Sequence, residues 1–467
     1  MTKSQGMITN RCFNEIQIGD TASIDRRLTK QDIQLFAVMS GDINPAHMDE
    51  DFAKSSIFHE IIAHGLWGGS LISTVLGTIL PGPGTIYLGQ SLRFKRPVVL
   101  GDVLTVTITA REKKPERNIV IFDCICINQE KKVVIEGEAE VIAPVEKIER
   151  PRANLPNVRL SERARLQEMY DAADSFEPLP TAIVHPCSEY ALRGAIESAE
   201  AKLIDPVLIG PESKIREIAE QYNLDISQYK LVAVEHSHEA AEKSVAMARA
   251  AEVDALMKGS LSTHELIRAV LHKEYGIRTE RRISHVFAFD VPTYPRPLLV
   301  TDAAINISPN LEQMRDIVQN AIDLAHALNI EKPKVALLSA VETVTKDISS
   351  TLIAAALCKM ADRGQITGGI LDGPLAFDNA VSPVATEVKG IVSSVAGQAD
   401  ILVAPDLESA NILAKQLIYL ADAQGAGIVM GARIPIILTS RADSKIERMA
   451  SSALAVIYEN YRRKSAG

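Results

Sequence analysis

Aromatic residues make up only 4% of this 467-residue chain, and Trp67 is its single tryptophan. With so few rings, the core must be filled by alanine, isoleucine, leucine and valine, a mix that suits helices packed on sheets. Cysteine is scarce as well. The five residues Cys12, Cys124, Cys126, Cys187 and Cys358 are odd in number and lack metal-ligand spacing, which excludes a disulfide scaffold and leaves no metal site expected. Cys124 and Cys126 fit one face of an alternating strand, where a free thiol acts as a small apolar group. No basic field exists either: the net charge of −9 disfavours nucleic acid or an anionic membrane as partner. Local arginines and helix N-termini can still bind anionic ligands. No apolar run reaches the roughly 20 residues of a membrane-spanning helix. The opening MTKSQGMITN has no signal-peptide core. A cytoplasmic protein without a membrane partner is therefore expected.

Several cofactor motifs are missing too. There is no G-x-x-x-x-G-K-[ST], no strand-linked G-x-G-x-x-G and no H-E-x-x-H, and 425-GAGIVMG-431 has glycines at the wrong spacing. No permanently bound cofactor is expected.

What is present falls into two grammars. Over residues 11–143 one apolar helical stretch, 65-GLWGGSLISTVLGTIL-80, precedes strand candidates at 85–94, 103–112, 118–128 and 132–143. Leu104, Val106 and Ile108 alternate with Val103, Thr105 and Thr107, the period of a half-buried strand, so this part reads as α+β with an antiparallel sheet over one long helix. The segment 144-PVEKIERPRANLP-156 has three prolines and mixed charge and reads as a linker. Beyond about 180, short β-branched runs alternate with helical stretches at 188–202, 238–251, 262–272, 310–328, 346–363 and 408–422. That alternation predicts βαβ units and a mostly parallel sheet.

Two sets of residues carry chemistry. In 40-SGDINPAHMDE-50, Asn44 before Pro45 is pushed out of the α region, and Pro45 followed by acids suits a helix start. That reading leaves Asp42 and His47 uncommitted. A carboxylate and an imidazole converging on one water can remove a proton and return one elsewhere. Amides at the start of the long helix, near 63-AHGLWGG-69, can meet negative charge on a thioester oxygen, and Gly65 lets that oxygen approach the backbone. His64 reads as a structural hydrogen-bonded residue, His59 as a loop residue and Trp67 as packing.

The second set lies at strand ends: 257-MKGSLSTHELIRAV-270, 372-DGPLAFDNAVSP-383, 405-PDLESANILAK-415 and 437-ILTSRADS-444. Ligands of parallel sheets bind past the carboxyl ends of the strands, and a guanidinium such as Arg441 can grip phosphate there. Taken singly, Ser262 or Thr263 reads as a helix cap and Arg268 as part of a solvated face.

Two resemblances follow from these motifs. SGDINPAH at 40–47, Ala53, His64-Gly65 and 93-RFKRPVVLGDVL-104 resemble the MaoC-like (R)-specific enoyl-CoA hydratases, over nearly all of residues 10–143. The resemblance implies a hot-dog fold, Asp42 and His47 as the pair that activates water, and the Gly65 amide as the group that polarises the thioester. Lys258, Gly259, Ser262, Thr263 and Arg268, then DGPLAFD at 372–378, then Pro405, Asp406, Leu407, Asn411 and Lys415, then TSRADS at 439–444, occur in the order found in phosphate acetyl/butyryltransferases. The resemblance spans roughly 160–467 and implies exchange of CoA and phosphate on an acyl group.

By that resemblance Ser440, Arg441 and Asp443 are catalytic, with Asp443 as base. Lys258, Ser262, Thr263, Arg268, Asp378, Asn411 and Lys415 bind substrate. Ala442 stands where the acetyl-specific pattern has glycine, and the T-S-R-A-D form leans toward the butyryl branch.

The expected architecture is thus an α+β hot-dog domain (1–145), a linker (146–158) and a two-lobed α/β domain with mostly parallel sheets and a cleft (159–467). Its ligands are acyl-CoA, phosphate and water, and by resemblance it forms a homo-oligomer. The rival readings are a hydratase fused to an NAD-linked, decarboxylating-dehydrogenase-like domain, and a CoA-binding scaffold with one inactive half.

Overall fold

The computed structural model describes residues 6–153, 155, 158, 165–438 and 444–466. The chain divides into two compact units between residues 160 and 161.

The first unit contains strands β1 (Met7–Thr9), β2 (Thr21–Arg27), β3 (Ile86–Phe94), β4 (Val103–Lys114), β5 (Ile119–Ile127), β6 (Val133–Ile142) and β7 (Glu149–Pro151). Five of them form an antiparallel sheet in the order β2-β4-β5-β6-β3. The alternation expected of β4 is real: Leu104, Val106, Ile108 and Ala110 are buried, and their neighbours are partly exposed. Cys126 and Cys124 on β5 lie opposite Val106 and Ile108 in the same core. Burial pushes both thiols up to about 12, as suits packing groups without reactivity. The long helix Gly65–Thr78 turns Trp67, Ile72, Val75 and Leu76 into this core. Trp67 is therefore packing, as expected. Residues 149–151, inside the predicted linker, form β7 and pair with 7–9.

The second unit contains β8 (Leu179–Val184), β9 (Ile204–Gly210), β10 (Lys230–Ala233), β11 (Ala255–Lys258), β12 (Ser284–Asp290), β13 (Leu298–Thr301), β14 (Lys334–Leu338), β15 (Ile370–Leu375), β16 (Ile401–Val403), β17 (Gln424–Met430) and β18 (Ile436–Ile437). The mostly parallel expectation holds, but these strands form one sheet, ordered β10-β9-β8-β11-β18-β17-β12-β13-β16-β14-β15. The first five strands of that order are mutually parallel, and so are the last four. Between them β17 and β12 pair antiparallel with each other and with their neighbours. The two parallel blocks consequently run in opposite directions, and their carboxyl ends leave the sheet on opposite edges.

The apolar packing bridges this division on one side and follows it on the other. One cluster gathers residues from both blocks, such as Ile183, Leu208, Leu299 and Val335. Two further clusters are separate: one holds Val300, Ala336 and Leu402, and the other Ala182, Ile209 and Leu256.

The glycines of 425-GAGIVMG-431 now have a reason. The stretch is mostly β17, and a Cβ at Gly425 would lie 2.5 Å from the Phe289 ring while one at Gly427 would lie 2.7 Å from His285. Both glycines make room for rings on β12.

Candidate active sites

The first site is built from short-range signals. The helix Lys30–Ser40 ends at Gly41, whose φ of 76° is the left-handed stop. Asn44 caps the short helix Pro45–Met48 by accepting from the Ala46 amide at 3.1 Å. The helix-start reading is thus correct, and it delivers the chemical groups. His47 sits in that short helix, and its Nδ1 lies 2.9 Å from the Ile62 carbonyl. A carbonyl only accepts, so Nδ1 carries the proton and Nε2 is left as a bare lone pair.

His64 is buried, and its Nε2 donates to the Asp42 carbonyl at 2.9 Å. By the same logic its Nδ1 is bare, and it is buried without a partner. The rings of His47 and His64 are 4.0 Å apart. One ligand atom from each of Asp42, His47 and His64 falls within 4.8 Å of the others. The sequence reading of His64 as a hydrogen-bonded structural residue was right about the bond. It missed the place, because the acceptor is a backbone carbonyl 22 residues away. His59 is an exposed loop residue, as read.

Gly65 follows His64 as the first helical residue. Amides of a first helical turn have no acceptor within the helix and carry its positive dipole end. The Phe94 ring lies over this point, 3.2 Å from where a Cβ on Gly65 would be. A cavity of about 360 Å³ opens here, lined by His47, Phe58, His64, Gly65, Phe94 and Ile135 among others. Two imidazoles and a helix start at a largely apolar cavity, with an acid within 4.8 Å of both rings, can activate water beside an electron-poor carbonyl compound.

The second set of residues is more spread out. Lys258 ends β11, and its ammonium donates to the carbonyls of Gly259 and Leu261, both at 3.1 Å. Ser262 Oγ accepts from the Glu265 amide at 3.1 Å, so it caps the helix Thr263–Val270. Thr263 is half-buried in the first turn, and Arg268 is exposed with no ion pair among the described residues. β18 runs parallel beside β11 with Ile437 level with Met257. Lys258 and Leu438 therefore leave the sheet side by side. Ser440, Arg441 and Asp443, which follow, lie outside the described residues.

Asp378, Asn411 and Lys415 belong to the other block. Asn411 Nδ2 donates to the Ala303 carbonyl at 3.0 Å, tying its helix to the loop after β13. Asp378 is 3.6 Å from Lys389, which also meets Glu342. Lys415 is exposed.

Sequence reasoning missed Asp302 in that loop. Its carboxylate accepts from the amides of His285, Ala304, Ile305 and Asn306 and from Asn306 Nδ2. Arg282 in turn donates to Asn306 Oδ1 at 2.7 Å. Burial pushes the Asp302 carboxyl up, against those donors. An acid at a strand end was the one available signal.

The model of the phosphate acetyl/butyryl transferase family matches residues 235–456, and that of the MaoC-like domain matches residues 14–123. A phosphate acetyltransferase from Rickettsia felis is 60% identical over 292 residues, covering 62% of this chain and 84% of that protein. A branched-chain phosphotransacylase from Enterococcus faecalis V583 is 27% identical in its solved structure, covering 60% of this chain and 99% of that one with a TM-score of 0.53. The R-hydratase PhaJ1 from Pseudomonas aeruginosa is 45% identical, covering 33% of this chain and 99% of that one with a TM-score of 0.32.

Proposed function

This chain belongs to the phosphate acetyl/butyryltransferase family and carries a MaoC-like domain ahead of that part; from this premise we propose that one polypeptide runs two acyl-CoA reactions. The first unit adds water to a short trans-2-enoyl-CoA and gives the (R)-3-hydroxyacyl-CoA. The second exchanges CoA and phosphate on an acyl group.

The observation that supports the hydration most is His47, with Nδ1 held by the Ile62 carbonyl, in one cluster with the Asp42 carboxylate: a ligand atom of each lies within 4.8 Å of the other. Asp42 accepts a hydrogen bond from the O–H that stays on the water oxygen, and His47 Nε2 takes the other hydrogen as a proton while the oxygen bonds to C3. The electron pair of the double bond moves toward the thioester oxygen, where the Gly65 amide meets the charge. His47 then returns its proton to C2, so the sum is one water added and the imidazole is regenerated.

In the second unit a phosphate oxygen attacks the thioester carbonyl, the C–S bond breaks, and CoA leaves as thiolate. Arg268 and Arg441 neutralise phosphate, Ser440 donates to the developing charge, and Asp443 handles the thiol proton in the reverse direction. Lys258, Ser262, Thr263, Asp378, Asn411 and Lys415 are proposed to frame the substrate. The T-S-R-A-D form leans toward butyryl groups, whereas the Rickettsia felis relative is a phosphate acetyltransferase, so the acyl length is left to a chain-length series.

A homo-oligomer in the cytoplasm completes the reading. Exposed Ile86, Leu88 and Phe94 on the edge strand β3 and exposed Val384, Val388 and Val392 support the first part. Five unpaired cysteines suit a reducing compartment. No described helix is long and apolar enough to cross a membrane.

The test is a paired assay on the purified full chain. Loss of crotonyl-CoA absorbance reports hydration, with chiral analysis of the product. Thiol release from acetyl- and butyryl-CoA with phosphate reports transfer. Inactivity in either arm overturns that half. The fusion also suggests that the hydratase product feeds the transferase. Capture by an added separate transferase as efficient as by the fused one overturns this coupling.

A further inference from the structure

Residues 41–44 carry the acid of the hydration site, yet they are loop. Their nearest bonds are local: the Asp42 amide donates to Ser40 Oγ at 3.2 Å, and Asp42 Oδ1 accepts from the Asn44 amide at 3.2 Å. Bonds over two residues shape the loop but move with it. Among the described residues, one hydrogen bond fixes 41–44 to a distant segment, and it is His64 Nε2–H to the Asp42 carbonyl at 2.9 Å. Its donor is 2% exposed, so water does not compete for it. His64 is also the residue directly before Gly65. The same side chain thus links the loop that presents the carboxylate to the backbone that presents the thioester-binding amide. Its ring packs against His47 on one side and Phe36 at 5.0 Å on another, which leaves it little freedom to turn.

We propose that His64 is a positioning residue for the hydration reaction, holding Asp42 in register with His47 and the Gly65 amide through its Nε2–H bond to the Asp42 carbonyl. The inference rests on the hydratase reading. Its chemistry makes a definite demand: a carboxylate displaced by about 1 Å from the attacking water loses on the order of 100-fold in rate. His64 also lines the cavity, so KM moves less than kcat but is not fixed.

Two substitutions separate the ring nitrogens. The amide nitrogen of glutamine reaches where Nε2 sits and can still donate to the Asp42 carbonyl. That of asparagine falls nearer Nδ1 and cannot. His64→Ala is expected to lower kcat for crotonyl-CoA about 30- to 100-fold with KM within about 3-fold. His64→Gln is expected to recover to within about 5-fold of the parent, and His64→Asn to stay as low as alanine. Thermal unfolding of each variant checks the fold. Should alanine fail to fold, the Gln/Asn pair decides alone. A kcat for His64→Ala within 3-fold of the parent overturns the proposal, and so does equal activity of the Gln and Asn variants. In both cases the parent still turns over and the hydratase reading stands. A parent that does not hydrate crotonyl-CoA overturns both.

Discussion

The two candidate sites differ in how their residues are gathered. In the first, Asp42, His47, His64 and Gly65 lie within 24 residues; His47, His64 and Gly65 line one cavity, and Asp42 has a ligand atom within 4.8 Å of both histidines. In the second, the signature residues run from Lys258 to Lys415 and beyond. They sit on two blocks of strands whose carboxyl ends leave opposite edges of one sheet. A local site is fixed by caps and turns, whereas a distributed one depends on how large layers pack. Damage to the first should therefore be sharp and confined, and damage to the second graded.

The largest effect is expected where the first site is most local. Asp42→Asn or His47→Gln should lower hydratase kcat about 1,000-fold, since each removes a proton-handling group. Thiol release by the second unit should stay within about 2-fold. Steady-state assays of both reactions on the same preparation check this. A parallel fall in both would break the comparison, because it would mean that the sites are not independent.

Next comes Arg268→Ala. A charge-assisted hydrogen bond to phosphate contributes about 1.5–3 kcal/mol, so the KM for phosphate should rise roughly 10- to 100-fold while hydration is unchanged. Arg268 is exposed on its helix. An unchanged KM would assign it to the solvated face and move the phosphate site elsewhere in the distributed set.

This contrast also explains what could be read from sequence. Asn44-Pro45 fixes a turn and a helix start by sterics alone, so the position of His47 was visible. Alternation marked β4 and the second half of β5 because one face of that sheet is covered and the other is partly open there. The second unit hid more. Apolar runs buried on both sides look alike whether parallel or antiparallel, so the reversal at β12 and β17 could not be seen. The helix Lys445–Ala466 escaped for a related reason. Residues 450–459 are all buried, Ser451, Ser452 and Glu459 among them, and polar residues on covered faces blur the stripe that marks a helix. Asp302 was passed over because its donors, from residues 285 and 304–306, meet only in the fold.

A smaller effect is expected from Gly65→Ala. The amide survives, but the new methyl meets the Phe94 ring at 3.2 Å, so either the ring or the helix start must shift. A fall of about 10-fold in hydratase kcat/KM, with stability changed by less than about 1 kcal/mol, is expected from displacement at one oxyanion donor. Phe94→Ala in the same background should restore part of the loss by removing the obstacle. No recovery would mean that the methyl blocks the thioester itself and not the ring, which sharpens where the ligand oxygen lies.

The smallest effect tests the second site at its most local point. Ser262 Oγ caps a helix in this structure, and its bond to the Glu265 amide leaves little hydroxyl chemistry unexplained. Loss of such a cap costs about 1 kcal/mol. If capping is its whole role, Ser262→Ala should lower the stability of the second unit by that amount and leave kcat/KM for transfer within about 2-fold. Ser262→Asp, which caps equally well but brings a negative charge, then separates the two readings. A residue that only caps tolerates it, whereas one that faces phosphate repels its substrate and raises the KM for phosphate at least 10-fold. Denaturant midpoints and phosphate titrations on the two variants make the measurement. A tolerant Ser262 would leave Arg268 as the residue of its helix still to be weighed for phosphate, and an intolerant one would show that a cap and a ligand contact can share one hydroxyl.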